Sequence, residues 1–376
     1  MGIRAVFAAG GTAGHINPAL SIAKNIKSRF PDSEILFIGR EDGMEKALVK
    51  KEGFDLIEIK SHGFMRKLTL EDIIFNIKSF FNIFAAAKAA GKVLKKFKPD
   101  IVIGCGGYIS GPVLRKAAKM GYKTAIQEQN SYPGLTNRLL AKDVDLILAC
   151  DEICAESLGQ PKKTVITGNP VDEDFFSIDK SEAGEKLGAK GRFTVLSFGG
   201  SLGASKINEI AAGFMKLHYK SDKILHIHAT GRYEAKSFYK RLGDLYEDIK
   251  NSGNVVIKEF IDEMPLYLSA ADVVISRAGA ITLSEIKAVG RASVLIPSPN
   301  VTENHQYKNA VVLRDAGAAL VFEEKDADAD IVAKELLKLS ENRALAEEMG
   351  ENAGRLAVKN TNEIILDLIL KLINED

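Results

Sequence analysis

The chain has 376 residues, of which 46% are hydrophobic and 27% charged, and its net charge is +1. These values suit a globular protein with two hydrophobic cores and argue against a nucleic-acid partner, which needs a clear basic excess. The three cysteines form no CxxC pair and suit a reducing cytoplasm. We expect neither a signal peptide nor a membrane-spanning helix, which needs about eighteen consecutive apolar residues.

Short apolar segments alternate with amphipathic ones along the chain. In chain order, we predict buried strands at residues 3–9, 34–38, 101–103, 123–126, 144–149, 164–167, 193–198, 224–229, 254–257, 272–275, 293–296 and 318–322. The amphipathic segments predict helices at residues 18–30, 69–97, 205–220, 280–289, 303–316 and 361–373. Such alternation is typical of a doubly wound α/β sheet with helices on both faces, and it occurs twice.

Two glycine-rich turns occupy matching positions in the two halves. Residues 10–15, GGTAGH, follow the first predicted strand, and residues 199–205, GGSLGAS, follow the strand at 193–198. The unpaired N–H groups of a helix that begins at such a turn favour an anion, usually phosphate. One turn would be a weak signal, whereas two at matching positions predict a pair of phosphate-binding domains.

The boundary between the halves is predicted at residues 167–176, TGNPVDEDFF, where glycine and proline interrupt the pattern. We therefore expect one domain over residues 1–168 and a second over residues 169–360. The final helix, within residues 361–376, comes too late for the second sheet. It is expected to pack back on the first domain.

A series of motifs covers nearly the whole chain: GGTAGHINPALSIA, GGYISGP, EQNSYPGLTNRLLAK, TGNPV, GGSLGAS, EFIDEM, SRAGAITLSE and HQYKNA. Together they resemble the MurG family, the undecaprenyl-diphospho-muramoylpentapeptide N-acetylglucosaminyltransferases of bacterial peptidoglycan synthesis. The resemblance implies an α/β GT-B fold, with two Rossmann-like doubly wound domains facing a central cleft. It also implies inverting transfer of N-acetylglucosamine (GlcNAc) from UDP-GlcNAc to the muramoyl C4 hydroxyl of lipid I, undecaprenyl-diphospho-MurNAc-pentapeptide. The products are lipid II and UDP.

The resemblance assigns the first domain to the acceptor. The first glycine-rich turn would hold a diphosphate on Thr12, Ala13 and Gly14, and a neutral His15 beside it would serve as general base. Glu128 is a second candidate base, and Asn130 can both donate to and accept from a sugar. The alternatives are a turn without a ligand, a histidine that only packs, and a structural carboxylate.

The second domain is assigned to the donor. The UDP diphosphate would lie on the turn that contains Ser201, with Ile261 beside the uracil and Gln306 at the sugar hydroxyls. The stretch SRAGAITLSE would place further residues against the nucleotide, with the Glu285 carboxylate on the ribose: Ala280, Ile281, Thr282, Leu283, Ser284 and Glu285. Each position also has a plain explanation as a structural turn, a helix cap or a solvated amide.

Two positions depart from the family pattern, with Asp172 where arginine is common and Gln127 where histidine often precedes EQN. Residues 143–145, DVD, have the DxD form of metal-dependent glycosyltransferases, but they open an apolar strand and we interpret them as coincidence. His226 and His228 share a strand face as zinc ligands would, although core histidines are the simpler interpretation. We expect no metal site and no required cofactor.

Residues 60–98 carry nine basic residues against two acidic ones. Phe75 lies on the polar side of the helix predicted there, which is typical of an interfacial membrane contact. We expect Arg66, Lys67, Phe75 and Lys78 to contact the anionic cytoplasmic membrane surface, where a polyprenyl-linked acceptor is found. The alternative is a core helix with a solvated lysine tail. Other cell-wall and division proteins are further candidate partners.

Three rival functions use the same fold class. A UDP-GlcNAc 2-epimerase shares the architecture and the donor but needs no lipid acceptor. A glycolipid synthase that uses diacylglycerol is close in fold and also binds membranes. A non-enzymatic sugar-nucleotide sensor would keep the donor half and lose the acceptor half, and the presence of His15, Glu128 and Asn130 argues against it.

Overall fold

A computed structural model describes residues 2–41, 43–61 and 70–375, with the side chains of all of these except residues 70–81 and 302. The chain divides into two compact units, Met1–Val171 together with Asn360–Asp376, and Asp172–Lys359. Each unit contains one parallel sheet, and each is described by itself below.

The first unit contains a seven-stranded parallel sheet in the order β3-β2-β1-β4-β5-β6-β7. Its strands are Arg4–Ala9 (β1), Glu34–Arg40 (β2), Asp55–Ile59 (β3), Ile101–Gly106 (β4), Lys123–Glu128 (β5), Leu146–Ala149 (β6) and Thr164–Ile166 (β7). Buried side chains cover both faces of this sheet, as the apolar runs predict. The helices that precede the boundary are Ala13–Arg29 (α1), Glu45–Lys51 (α2), Leu70–Phe97 (α3), Ser110–Lys119 (α4), Leu135–Leu140 (α5) and Glu152–Leu158 (α6).

The second unit contains a six-stranded parallel sheet in the order β10-β9-β8-β11-β12-β13. Its strands are Phe193–Phe198 (β8), Ile224–Ala229 (β9), Val255–Lys258 (β10), Val273–Ser276 (β11), Ala292–Leu295 (β12) and Ala319–Val321 (β13). Its helices are Asp174–Ser177 (α7), Lys180–Lys186 (α8), Ser205–His218 (α9), Ala235–Leu242 (α10), Tyr246–Lys250 (α11), Met264–Ala270 (α12), Ala280–Val289 (α13), His305–Asp315 (α14), Ala329–Glu341 (α15) and Arg343–Arg355 (α16).

The last helix, Thr361–Asn374 (α17), belongs to the first unit. Ile365, Leu366 and Ile369 are buried in the same core as α1 and β1. Asn25 Nδ2 on α1 donates a hydrogen bond to the carbonyl oxygen of Asn362 at 2.6 Å. The core of the first unit therefore contains residues from both ends of the chain.

The structure differs from the sequence prediction at the start of the first helix and at one strand. The first helix begins at Ala13 rather than Pro18, because the Thr12 carbonyl oxygen already accepts hydrogen bonds from His15 N and Ile16 N. The strand at Asp55–Ile59 was not predicted, since the acidic residues Asp55 and Glu58 interrupt its short apolar sequence. An apolar run marks only strands that are covered on both faces.

The two histidines considered as zinc ligands lie in the core of the second unit. Ser197 Oγ is 2.8 Å from His226 Nε2 and 2.7 Å from His228 Nδ1, and His218 Nε2 is 3.1 Å from His226 Nδ1. Burial lowers the pKa of His218 to about 4 and that of His228 to about 3. These buried histidines are thus linked to one another and to Ser197 within the core.

Within the part of the chain that the structure describes, no helix combines the length and the apolar composition that a membrane crossing requires.

Candidate functional site

The strand order of the first sheet brings three motifs to one edge. β1, β4 and β5 are adjacent, so the chain segments that follow their carboxyl ends are neighbours: residues 10–12, 106–108 and 128–130. The strand order reverses between β1 and β4. In open parallel sheets, ligands bind outside the carboxyl ends of the strands at such a reversal.

The turn after β1 exposes backbone N–H groups. Thr12 has extended backbone angles at the N-cap position of α1, but its side chain makes no capping hydrogen bond. The N–H groups of Ala13 and Gly14, in the first helical turn, have no intrahelical acceptor. Thr12 and Gly14 are exposed, so this helix start can accept an anion.

The turn after β4 packs directly on the turn after β1. Gly106 has φ +104°, and a Cβ atom there would lie 2.6 Å from His15 Nδ1. Gly107 has φ +81°, and a Cβ atom there would lie 2.2 Å from the carbonyl oxygen of Gly10. Both positions therefore require glycine, for backbone conformation and for space.

His15 is half-buried, and a neighbouring amide holds its ring. His15 Nδ1 lies 3.0 Å from Gln129 Oε1, and Gln129 is 3% exposed. Among the described residues, His15 Nε2 makes no hydrogen bond. The ring is thus oriented through one nitrogen and leaves the other for a substrate. Gln129 was missed in the sequence, although it stands inside the motif EQN.

Glu128 is 3% exposed, and four donors surround its carboxylate. Oε1 accepts from Asn130 N and Asn130 Nδ2, each at 3.0 Å, and Oε2 accepts from Gly134 N at 3.1 Å and Asn137 Nδ2 at 2.9 Å. This arrangement shapes the loop that leads into α5 and orients Asn130. The geometry favours a positioning role for Glu128, and its role as a base stays a prediction.

In the second sheet, the strand order reverses between β8 and β11. In the turn after β8, Gly199 and Gly203 lie against neighbouring backbone and leave no room for a side chain. A Cβ atom at Gly203, where φ is +91°, would lie 2.4 Å from the carbonyl oxygen of Thr230, and one at Gly199 would lie 2.4 Å from Ala204 N. Ser201 is exposed at the tip of this turn. The start of α9 is therefore a second anion-binding position.

The helix that follows β11 begins at the same reversal. Ala280, Ile281, Thr282, Leu283, Ser284 and Glu285 form its first six residues. Ser284 Oγ donates back to the carbonyl oxygen of Ala280 at 3.0 Å, whereas Glu285 is half-buried. Burial raises the pKa of the Glu285 carboxyl to about 8, so this group is largely neutral at pH 7.

The two remaining donor-site candidates lie on nearby chain segments of the same sheet edge. Ile261 follows β10 and is 4% exposed. Gln306 is the second residue of α14, and its Oε1 accepts a hydrogen bond from Ser298 N at 2.8 Å. Gln306 therefore shapes the loop after β12 and is not a plain solvated amide.

The DVD motif lies at the opposite edge of the first sheet, at the amino end of β6. Asp145 Oδ2 accepts from Thr124 N and Thr124 Oγ1, both at 2.8 Å, while Asp143 pairs with Arg115 at 3.1 Å. The two carboxylates thus bind different protein groups. In the described ranges, no three His, Cys, Asp or Glu side chains are arranged as metal ligands.

The four residues predicted to contact the membrane have no side chains among those that the structure describes. Arg66 and Lys67 lie outside the described residues, and the side chains of Phe75 and Lys78 are not described.

Two parallel sheets, each with a glycine-rich turn at its strand-order reversal, fit the fold of a sugar-nucleotide glycosyltransferase, and family models match both halves of the chain. The glycosyltransferase family 28 N-terminal domain matches residues 5–148, and the glycosyltransferase family 28 C-terminal domain matches residues 194–365. The chain is therefore a glycosyltransferase of family 28 with the GT-B fold.

Comparison with individual relatives identifies one family within the family 28 glycosyltransferases. The chain is 41% identical over 368 residues, 98% of its length and 97% of the relative's, to the UDP-N-acetylglucosamine–N-acetylmuramyl-(pentapeptide) pyrophosphoryl-undecaprenol N-acetylglucosamine transferase of Acetivibrio thermocellus. The crystal structure of Acinetobacter baumannii MurG matches with a TM-score of 0.76 at 28% identity, over 98% of this chain and 99% of that one. The chain belongs to the MurG family.

A structure of UDP-GlcNAc 2-epimerase from Neisseria meningitidis bound to UDP-GlcNAc also matches, with a TM-score of 0.62. The match covers 99% of this chain and 100% of that one at 16% identity, so it shows a shared fold alone.

The close packing at Gly106 generates a prediction. Gly106→Ala is expected to displace the His15 ring and to lower kcat by about 10²-fold, because small misplacements of a reacting group cost about that much. Steady-state kinetics on folded protein measures this. The control is Gly121→Ala, where φ is +78° and nothing lies within 4 Å of the added Cβ atom. Equal kcat values for the two variants would show that His15 packing does not matter.

Proposed function

We propose that this protein transfers GlcNAc from UDP-GlcNAc to the C4 hydroxyl of the muramoyl residue of lipid I, with inversion, to form lipid II and UDP. The observation that carries this proposal is the pair of glycine-rich helix starts, one at the strand-order reversal of each sheet. The N-terminal unit binds the acceptor and the C-terminal unit binds the donor. The identity to named transferases over nearly the whole chain supports the choice of substrates.

The chemistry needs one proton acceptor and one leaving-group site. His15 Nε2 takes the proton from the C4 hydroxyl, whose oxygen then forms the new bond to the anomeric carbon. The bond between that carbon and the diphosphate oxygen breaks, and its electron pair leaves with UDP. The open Nε2 position and the exposed helix start at Thr12 to Gly14 support the acceptor role of this edge.

Backbone dipoles at the second helix start stabilise the departing diphosphate. The N–H groups of the turn around Ser201 and of the first turn of α9 meet the developing negative charge without reorganisation. We propose that these N–H groups stabilise the leaving diphosphate without a metal ion. Ile261 and Gln306 complete the site at the uracil and the sugar, and Glu285 binds the ribose hydroxyls.

The experiment that separates the rival functions is incubation with labelled UDP-GlcNAc, with and without short-chain lipid I. A transferase yields labelled lipid II only when the acceptor is present. An epimerase yields a changed sugar without it, and a sensor yields no product. Repeating the assay with excess EDTA tests the metal-independent part of the proposal, which complete loss of activity would overturn.

The base assignment predicts a specific kinetic signature. His15→Ala should lower kcat by about 10²- to 10⁴-fold, the usual contribution of a general base, and should abolish the acidic limb of the pH profile. The KM for UDP-GlcNAc should change little, because His15 is in the acceptor unit. Glu128→Gln is the comparison variant. If it alone shows this signature, the roles of the two residues are reversed.

The raised pKa of Glu285 predicts a pH dependence of donor binding. Because the carboxylate is the form that accepts two ribose hydrogen bonds, the KM for UDP-GlcNAc should fall as pH rises toward the pKa of about 8. Between pH 6.5 and 8.5 the fall should be on the order of tenfold or more, as follows from the ionised fraction. At pH 8.5, where the carboxylate is mostly ionised, Glu285→Gln should weaken donor binding by about ten- to a hundred-fold, and it should flatten the pH profile.

The exposed Glu348→Gln on α16 is the matched control for Glu285→Gln. A steep pH profile that survives in Glu285→Gln would assign the dependence to another group.

We also propose that the protein binds the cytoplasmic membrane surface peripherally, through the helical layer α3-α4-α5. Leu135 and Leu139, one turn apart on α5, are 58% and 55% exposed, and Phe84 on α3 is 63% exposed. Three basic residues and one acidic residue line the same surface groove as the two leucines: Arg115, Arg138, Lys142 and Asp143, of which Asp143 pairs with Arg115. Exposed apolar side chains among basic ones suit an anionic interface, and the predicted contacts Arg66, Lys67, Phe75 and Lys78 belong to α3 and the segment before it.

The membrane proposal predicts the behaviour of paired leucine variants. Leu135→Ser with Leu139→Ser should reduce co-sedimentation with anionic liposomes while turnover on a detergent-solubilised short-chain acceptor persists. Leu217→Ser with Leu345→Ser is the matched control, because these two leucines are 54% and 41% exposed in the other unit. Binding should also weaken with salt, since the Debye length shortens to roughly 8 Å at physiological ionic strength. Equal pelleting of both double variants would contradict the proposed surface.

A further inference from the structure

The Gln129 side chain can be oriented in one way only. Its Nε2 lies 2.8 Å from the carbonyl oxygen of Cys105, 3.2 Å from the carbonyl oxygen of Gln127 and 2.6 Å from Gln127 Oε1. Backbone carbonyl oxygens only accept hydrogen bonds, so the NH₂ group of Gln129 must face them. Its Oε1 therefore points to His15.

This orientation determines where His15 carries its proton. Gln129 Oε1, which can only accept, lies 3.0 Å from His15 Nδ1. A hydrogen bond at this distance requires a hydrogen on Nδ1. In the neutral imidazole, Nε2 then holds the lone pair, and Nε2 is the nitrogen that makes no hydrogen bond among the described residues.

A closed set of buried amides keeps Gln129 in place. Gln127 Nε2 donates to Asn169 Oδ1 at 2.8 Å, and Asn169 Nδ2 donates to the backbone carbonyl of Gln129 at 2.9 Å. Gln127 and Gln129 are 0% and 3% exposed, and Asn169 is 7% exposed. Water does not compete at these positions, so rotation of the Gln129 amide would leave buried polar groups unpaired.

We propose that Gln129 is a positioning residue that selects the Nδ1–H tautomer of His15 and so leaves Nε2 ready to accept the C4 proton. This inference rests on the proposed role of His15 as base. When Nε2 takes the proton, the ring becomes an imidazolium that still donates from Nδ1 to Gln129 Oε1. The amide stabilises this cation through its dipole and adds no negative charge beside the diphosphate of the acceptor.

The first test needs no variant. Long-range ¹H–¹⁵N NMR correlations distinguish the Nδ1–H from the Nε2–H tautomer of each histidine, and His15→Ala identifies the signals of His15. The neutral ring in the wild-type protein should be the Nδ1–H tautomer. An Nε2–H tautomer would overturn the proposal whatever the activity of the protein.

The second test separates positioning from packing. Gln129→Met keeps the side-chain length but removes the acceptor, so His15 should lose its single tautomer and kcat should fall by about 10²-fold. The KM for UDP-GlcNAc should stay unchanged. Gln160→Met is the matched control, because it makes the same substitution in the same unit, before β7, and the Nδ1–H tautomer of His15 should persist. A Gln129→Met protein that retains the Nδ1–H tautomer would assign Gln129 a structural role only.

The two proposals fail in distinguishable ways. If His15→Ala keeps its kcat while the wild-type ring is the Nδ1–H tautomer, the base assignment fails and the tautomer control by Gln129 stands. If His15→Ala loses its kcat while the wild-type ring is the Nε2–H tautomer, the base assignment stands and the role of Gln129 fails.

Discussion

The carboxyl edge of the first sheet depends on a contact between two pieces of backbone. The carbonyl oxygen of Gly10 and the backbone of Gly107 come so close that no side-chain carbon fits between them. Because of this contact, the turn after β1 and the turn after β4 form one surface. The His15 ring packs against Gly106, and the start of α1 lies at the same edge.

A second constraint is that polar groups buried beside this surface must find partners. The carboxylate of Glu45 is 1% exposed and accepts hydrogen bonds from Arg40 N at 2.6 Å and Gly11 N at 3.4 Å. Glu128 accepts four hydrogen bonds in the loop after β5. Each buried carboxylate thus holds the backbone of a loop by accepting hydrogen bonds from it. The exposed residues of that loop are therefore kept in a defined geometry.

Much of this architecture was predictable from sequence. The apolar runs predicted every strand except Asp55–Ile59, and the fold class follows from their alternation with helices. The apolar pattern misses this strand because Asp55 and Glu58 leave no continuous apolar run. Pro18 misled the prediction of the first helix because proline usually marks a helix start, whereas here the Thr12 carbonyl begins the helix a turn earlier.

The candidate site was predictable as a set of motifs but not as a set of contacts. Sequence spacing identified His15, Glu128 and Asn130, because they stand beside glycine-rich or strand-end signals. It could not show that Gln129 reaches His15 while Glu128 turns toward Asn137, since the contact with His15 joins residues that are 114 positions apart in the chain. The buried partner Asn169 is forty residues away in sequence and offers no local pattern.

The return of α17 to the first unit has a consequence for synthesis on the ribosome. Ile365, Leu366 and Ile369 complete the core around α1, yet they are translated after the whole of the second unit. Domains usually fold in order as they emerge, from the N-terminus onward. Here the N-terminal unit lacks part of its core until α17 has been made, which is after the last residue of the second unit. The first unit is therefore expected to be the later of the two to mature, and the one most dependent on chaperones in the interval.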